Sequence, residues 1–303
     1  MPLAEPPADI TPNRPSHVAV IGTGLMGSAV ARALLNNRYP VAVWNRTAGR
    51  CESLRDLGAQ IADTAADAVR VSDVVILMVL DYAAARQILD ESSELLRGKT
   101  IINLVTGSAA EASAFGAWVD DVGGTYLDGI IAAYPGQIGK PSTLFYYAGS
   151  LPAWTRYKTL LTALAGAATF VGSEPSAANV IDAAMTATFH TVSIGAFLEG
   201  LSYARSAGVD LDEIKRTLPY WLDLLSQELH VAIDDVQARS HTTDQATLET
   251  YLVALRTINK SMVGSGERAH LLSAAIDNLE RAYAAGHGQG ALSAQILTAQ
   301  AER

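Results

Sequence analysis

Short, continuous apolar runs mark the first half of the chain, and long helical stretches mark the second. His17-Val-Ala-Val-Ile21, Val41-Ala-Val-Trp44, Val74-Val-Ile-Leu-Met-Val79 and Thr100-Ile-Ile-Asn-Leu-Val105 have strand length and little polar alternation. Strands of that kind belong to parallel sheets covered on both faces. Thr125–Asp128 and Leu144–Ala148 add further strands, with helical stretches between. The pattern predicts an α/β Rossmann domain over residues 17–175, a doubly wound, mostly parallel sheet. From Ser176 to Ala207 few helix breakers occur, only Gly195 and Gly200, and the residues are apolar nearly all round. Such a helix is buried on every side, so 176–207 is expected to be a long interdomain helix. Its length would suit a membrane span, but Asp182, His190 and Glu199 interrupt it, and charges inside a bilayer are costly. Residues 208–303 read as further helices, over 242–263 and 267–285 among others, and complete an all-α C-terminal domain.

Composition narrows the class. A chain of 303 residues with 49% apolar and 17% charged residues has ample core for two domains. A net charge of −9 with scattered cations argues against a nucleic-acid partner. The single cysteine, Cys51, excludes an internal disulfide and provides no metal constellation, and the expected setting is cytoplasmic. Residues 1–16 are proline-rich without an apolar core and are expected to form a disordered tail rather than a signal peptide.

The chemistry begins at Gly22-Thr23-Gly24-Leu25-Met26-Gly27, directly after the first strand and at the mouth of a helix. The first glycine turns the chain, the second lets backbone amides approach a pyrophosphate, and the third allows helix to pack on strand. The helix end then offers unpaired N–H groups to the phosphates. Chains that bind NAD place Asp or Glu at the end of the second strand; here stand Asn45, Arg46 and Thr47, with Arg50 one turn on. A carboxylate would repel a 2′-phosphate, whereas guanidinium groups grip it. The cofactor is therefore read as NADPH. Val79 and Leu80, at the end of the third apolar run, Asn103, within the fourth, and Thr106, directly after it, are expected to line the same site.

On the long helix, Asp182, Thr186, Phe189, His190 and Ser193 recur at helical spacing and share a face. Asp182 has apolar neighbours, so its carboxyl is expected to be partly desolvated with a raised pKa, as suits a general acid. The plainer role is a buried carboxylate satisfying a backbone amide. His190 is either a hydrogen-bond donor to substrate or a satisfied core histidine. No lysine occurs between Lys158 and Lys215.

Together, Gly22–Gly27, Trp44-Asn-Arg-Thr47, Asn103-Leu-Val-Thr-Gly107, Tyr126-Leu-Asp-Gly-Ile-Ile-Ala-Ala-Tyr-Pro135 and Ala284-Ala-Gly-His-Gly288 resemble the imine reductases, within the β-hydroxyacid dehydrogenase superfamily. The resemblance runs through nearly the whole chain after residue 17. It implies hydride transfer from NADPH to the C=N carbon of a cyclic imine or iminium, giving a chiral amine, and possible extension to reductive amination. β-Hydroxyacid dehydrogenases carry a catalytic lysine at the start of the long helix, whereas imine reductases place Asp or Tyr there; the matching residue is Asp182. The exchange is chemically sensible, because an oxyanion needs a cation and an iminium needs an acid or an anion. Thr106 stands where many members have asparagine, and His190 where many have tyrosine; titration of His190 near neutrality would alter the pH profile. The resemblance also implies a domain-swapped homodimer with the substrate near Ala133, Tyr134 and Thr186, and with Trp221, Leu225, Tyr251 and Leu255 either walling the substrate or serving as plain core. The competing readings are a β-hydroxyacid dehydrogenase, which wants a lysine and a polar clamp where Ile130–Gly136 is apolar, and a non-catalytic NADPH-binding protein.

Overall fold

The structure, a computed structural model, describes residues 14–300. Its contacts divide the chain into two compact units, Met1–Ala187 and Thr188–Arg303. The expected tail lies outside the described residues as far as residue 13. Arg14 and Ser16 are tied down: the Arg14 guanidinium donates to the carbonyls of Asn37 and Arg38, and Ser16 donates to Asp73.

The first unit holds an eight-stranded sheet. Its strands are β1 (Val18–Ile21), β2 (Val41–Trp44), β3 (Gln60–Ile61), β4 (Val74–Leu77), β5 (Thr100–Asn103), β6 (Thr125–Ala132), β7 (Leu144–Gly149) and β8 (Thr169–Gly172). They lie in the order β3-β2-β1-β4-β5-β6-β7-β8, and only β6 and β7 pair antiparallel. The short strands β3 and β8 are additions to the sequence pattern. Val18 and Val20 feed one core and Ala19 and Ile21 the other, all fully buried, which explains why β1 lacks polar alternation. Helices α1 (Leu25–Asn36) and α6 (Leu151–Leu164) cover the first face. Helices α3 (Ala65–Val71), α4 (Tyr82–Asp90) and α5 (Ala109–Asp121) cover the second, and the short α2 (Glu52–Arg55) follows β2. The strand order reverses between β1 and β4, and a crevice opens outside the carboxyl ends of strands at such a point.

Helix α7 (Ser176–Asp182) closes the first unit against α5, β6 and β7. The continuous α-helix expected over 176–207 is not what forms. Ala183–Thr191 is wound as a π-helix for nine residues before α8 (Val192–Ser206) resumes the ordinary pitch. Hydrophobic periodicity marks a helical segment but does not distinguish i→i+4 from i→i+5 bonding. Thr186 and His190 therefore stand on π turns, and Asp182 ends the α-helical part before them. Such insertions are frequent at functional sites.

The second unit continues with α9 (Leu211–Ala238), α10 (Leu248–Gly264) and α11 (His270–Ala282). Leu248, Leu252, Ile276, Leu279 and Ala282 form its core. The expected burial of the long helix on every side is not met within one chain: Ile194, Phe197 and Leu198 remain about half exposed. Among the described residues, Ser176–Ser206 is long and apolar enough to cross a membrane by length and composition. Its Glu199, however, accepts from the backbone N–H groups of Leu271 at 3.0 Å and Leu272 at 3.4 Å. It thereby caps α11, whose own N-cap residue, Ala269, is left-handed and offers no side-chain cap.

Candidate active site

The glycine loop is shaped by contacts that leave no room for side chains. Gly22 has φ +100°, and a Cβ there would come 2.3 Å from the Met78 carbonyl oxygen; at Gly27 it would come 1.9 Å from the Gly22 carbonyl oxygen. Gly24 differs, because a Cβ there would meet no protein atom. Its bareness leaves room for a ligand rather than for the fold. Helix caps point the same way. Thr64, Asp81, Ser108 and Ser150 cap α3, α4, α5 and α6 with side-chain oxygens, whereas α1 starts at Gly24 with no such bond. The first amides of α1 are left for an anion.

Two adjoining depressions meet at this loop. One, of about 750 Å³, is lined by Gly22, Gly24, Asn45, Arg46, Thr47, Arg50, Val79 and Leu80. The other, of about 680 Å³, is lined by Thr23, Gly24, Leu25 and Arg50 together with Pro135 and Gly136. Among the described residues no hydrogen bond or ion pair engages the guanidinium of Arg46 or Arg50, so both are available to a phosphate. Asn45 is used internally: its Oδ1 accepts from Thr23 N–H at 3.1 Å and its Nδ2 donates to the Thr47 carbonyl. It ties the glycine loop to the exit of β2. The sequence did not single out the far wall of the larger cleft, formed by Asp63, Thr64, Ala65 and Ala66 against Ala84, Gln87, Ile88 and Glu91. Nothing short of the fold brings α3 and α4 to the same slot. These residues suit an NADP cofactor: bare backbone for the pyrophosphate, and free cations beside Thr47 for a 2′-phosphate.

Other expected residues fall elsewhere. Met26 and Gly27 line neither depression; Met26 is half-buried and Gly27 is buried in the turn. Asn103 is fully buried and its amide turns inward to Asp128, so its side chain is withdrawn from the cleft. Thr106 is exposed on the turn after β5 and also lies outside the two linings. Tyr134 is 71% exposed, with its N–H donating to Gln137, and Ala133 is half-buried. Asp182 is half-buried at the end of α7, and Thr186 is exposed on the π-helix. His190, Trp221, Leu225, Tyr251 and Leu255 belong to the second unit. There His190, Trp221 and Leu225 are exposed and Tyr251 is half-buried, while Leu255 packs against the helical core. Among the described residues no cluster of His, Cys, Asp or Glu is arranged to hold a metal ion.

A second polar centre lies at the carboxyl end of β5 and midway along β6. The buried carboxylate of Asp128 accepts from Tyr82 Oη at 2.6 Å, Asn179 Nδ2 at 2.8 Å, Asn103 Nδ2 at 3.4 Å and the Tyr126 hydroxyl. Burial pushes the Asp128 carboxyl up to about 6, against the pull of these four donors. Burial, followed by the adjacent carboxylate, holds the Tyr82 and Tyr126 hydroxyls well above the ordinary tyrosine range. In the sequence Asp128 stands out only as part of the Tyr126–Pro135 motif.

Comparison with known proteins agrees with this geometry. Residues 17–172 match the family described as the NAD binding domain of 6-phosphogluconate dehydrogenase. Residues 174–300 match the C-terminal domain of the NADPH-dependent reductive aminase-like proteins. An NADPH-dependent reductive aminase of Aspergillus oryzae is 27% identical over 288 residues, covering 92% of this chain and 96% of the relative. An imine reductase of Myxococcus stipitatus, solved with NADP⁺, superposes with a TM-score of 0.87 at 31% identity, covering 94% of this chain and 100% of that one. A reductive aminase of Aspergillus terreus, solved with NADPH4, cyclohexanone and allyl amine, gives 0.86 at 28% identity, over 94% and 99%. With its NADP-type cleft, its carboxylate at position 182 and full-length likeness to these enzymes, the chain belongs to the NADPH-dependent imine reductase family of oxidoreductases.

Proposed function

We propose that the chain reduces cyclic imines or iminium ions to chiral amines, with Asp182 as the acid or anionic anchor of the reaction. The observation that carries this reading is a carboxylate on α7 where a lysine would serve a hydroxyacid dehydrogenase, in a helix free of lysine. When bound, NADPH supplies the hydride that adds to the imine carbon. Asp182 either gives its proton to the imine nitrogen or stabilises the iminium already formed; in both cases its negative charge lies near the developing cation. The first amides of α1, with Arg46, Thr47 and Arg50, hold the phosphates. Thr106 offers a hydroxyl at the nicotinamide end, with a shorter reach than asparagine. His190 would serve as a hydrogen-bond donor to substrate.

Reductive amination is a natural extension, because a pocket that accepts an iminium also accepts one assembled from a ketone and an amine. The test is turnover. NADPH should be consumed with 1-pyrroline or 2-methyl-1-pyrroline, while glyoxylate with NADPH and 3-hydroxyisobutyrate with NADP⁺ should remain unused. The reverse pattern would return the chain to the hydroxyacid dehydrogenases.

We further infer that the chain works as a domain-swapped homodimer with its substrate site completed by a partner. Support comes from the apolar residues that one chain leaves open in the second unit, including Leu222, Val231, Ile233 and Val253, each more than half exposed. Sedimentation should give about twice the 32.0 kDa chain mass, and a monomer at micromolar concentration would contradict the proposal.

A further inference from the structure

Asp128 is the meeting point of four elements: Tyr82 opens α4, Asn103 ends β5, Tyr126 precedes it on β6, and Asn179 stands on α7. Two of these donors reach parts of the candidate active site. A Cβ on Gly107 would come 2.4 Å from the Tyr82 ring, so the turn that carries Thr106 rests directly on that ring. Asn179 lies three residues before Asp182 on the same helix, and its Nδ2 also approaches Tyr82 Oη at 3.3 Å. We propose that Asp128 is a positioning residue for imine reduction, seating the Thr106 turn through Tyr82 and fixing the Asp182 helix through Asn179. This inference rests on the reading of Asp182 given above.

The residue type follows from the donor count. An ionised carboxylate is acceptor-only, with two oxygens able to take all four donors. An amide in its place has a single acceptor oxygen and turns an NH₂ toward groups that are themselves donors. Stability alone does not explain the choice, because burying this carboxylate disfavours its charged form. The buried Oδ1 atoms of Asn103 and Asn179 also lack protein partners, which an arrangement optimised for stability would avoid.

The arrangement has a pH signature. Besides burial, the groups acting on Asp128 are the Tyr82 hydroxyl from α4, the Tyr126 hydroxyl on its own strand, and the amides of Asn103 and Asn179. On α5, Glu111 is held by the backbone and hydroxyl of Ser108. Asp128 therefore gains its proton as pH falls through about 6, and the neutral carboxyl then presents a donor to a ring of donors. Positioning is lost and turnover falls. Stability moves the other way. The folded pKa lies above the ordinary carboxylate value, so protonation favours the folded state, and this stabilising share is lost as pH rises through about 6. Activity and stability with opposite slopes separate positioning from a purely structural role.

The experiment compares wild type, Asp128→Asn, Tyr82→Phe and Asp182→Ala by kcat against pH on a cyclic imine, NADPH Kd by fluorescence, and thermal midpoint. Asp128→Asn is expected to lower kcat at least tenfold at pH 7.5, to leave Kd within threefold, and to lose the low-pH limb near 6. Tyr82→Phe keeps the ring under Gly107 but removes a donor that favours the charged form, so its limb should move to higher pH. If Asp128→Asn does not fold, that shift decides the matter, and an unmoved limb in Tyr82→Phe overturns the proposal. It is equally overturned if Asp182→Ala is inactive but Asp128→Asn keeps wild-type kcat and limb. A wild-type chain that reduces no imine, or an active Asp182→Ala chain, instead removes the functional reading and the positioning role with it.

Discussion

Replacing Asp182 with alanine is expected to lower kcat for imine reduction by about 10²- to 10⁴-fold, the range set by removing a positioned acid. At about 1.36 kcal/mol per factor of ten, that is roughly 3–5 kcal/mol of transition-state stabilisation. NADPH affinity should stay within about threefold, because Asp182 sits on α7 and lines neither depression at the glycine loop. Asp182→Asn should fall between the two, since an amide donates a hydrogen bond to nitrogen but neither protonates it nor offers a negative charge. The pattern sought is a fall in kcat with cofactor binding preserved. Unchanged kcat in Asp182→Ala would remove the residue from the mechanism and leave the charge reversal on this helix without a function.

The second large effect concerns the cofactor. Arg46 and Arg50 line the larger cleft with their guanidinium groups unengaged, and Thr47 stands between them. Charge-assisted hydrogen bonds to a phosphate are worth roughly 1.5–3 kcal/mol each. Replacing both arginines with alanine should therefore weaken NADPH binding by on the order of 10²-fold or more, at about 1.4 kcal/mol per factor of ten. NADH binding should change by less than about threefold, because NADH lacks the 2′-phosphate. Titration of both cofactors against the double variant reads the ratio directly. An equal loss for the two would show that the arginines shape the cleft rather than select its occupant. Raising the salt concentration should compress the NADPH effect, since both side chains are exposed.

What the sequence disclosed, and what it did not, follows from how local each signal is. The glycine loop, the apolar strands and the Asn45-Arg46-Thr47 exit are contiguous, and each carries its physical reason within a few residues. The π-helix at Ala183–Thr191 is equally contiguous but was invisible, because periodic apolarity describes both pitches and no Pro or Gly marks the change. Asn45 was placed at the cofactor, yet its amide holds the glycine loop to the exit of β2, a partnership across 22 positions. The Asp128 centre draws on residues 82, 103, 126 and 179, and Asn103 comes beside Asp128 only when β5 pairs with β6. Its likeness to a family motif was readable, but its chemistry was not. The slot between α3 and α4 is hidden for the same reason, since Ala66 and Gln87 become neighbours of one cleft only after the sheet has formed.

The central claim is that hydride goes to the carbon of a C=N bond and not to a carbonyl. The most direct measurement supplies NADPH deuterated at C4, in each epimer, to the chain with 2-methyl-1-pyrroline and glyoxylate together, and follows the products by mass spectrometry. The account predicts 2-methylpyrrolidine carrying one deuterium on its ring carbon from one of the two epimers, with no labelled glycolate. Labelled glycolate beside untouched imine would contradict it.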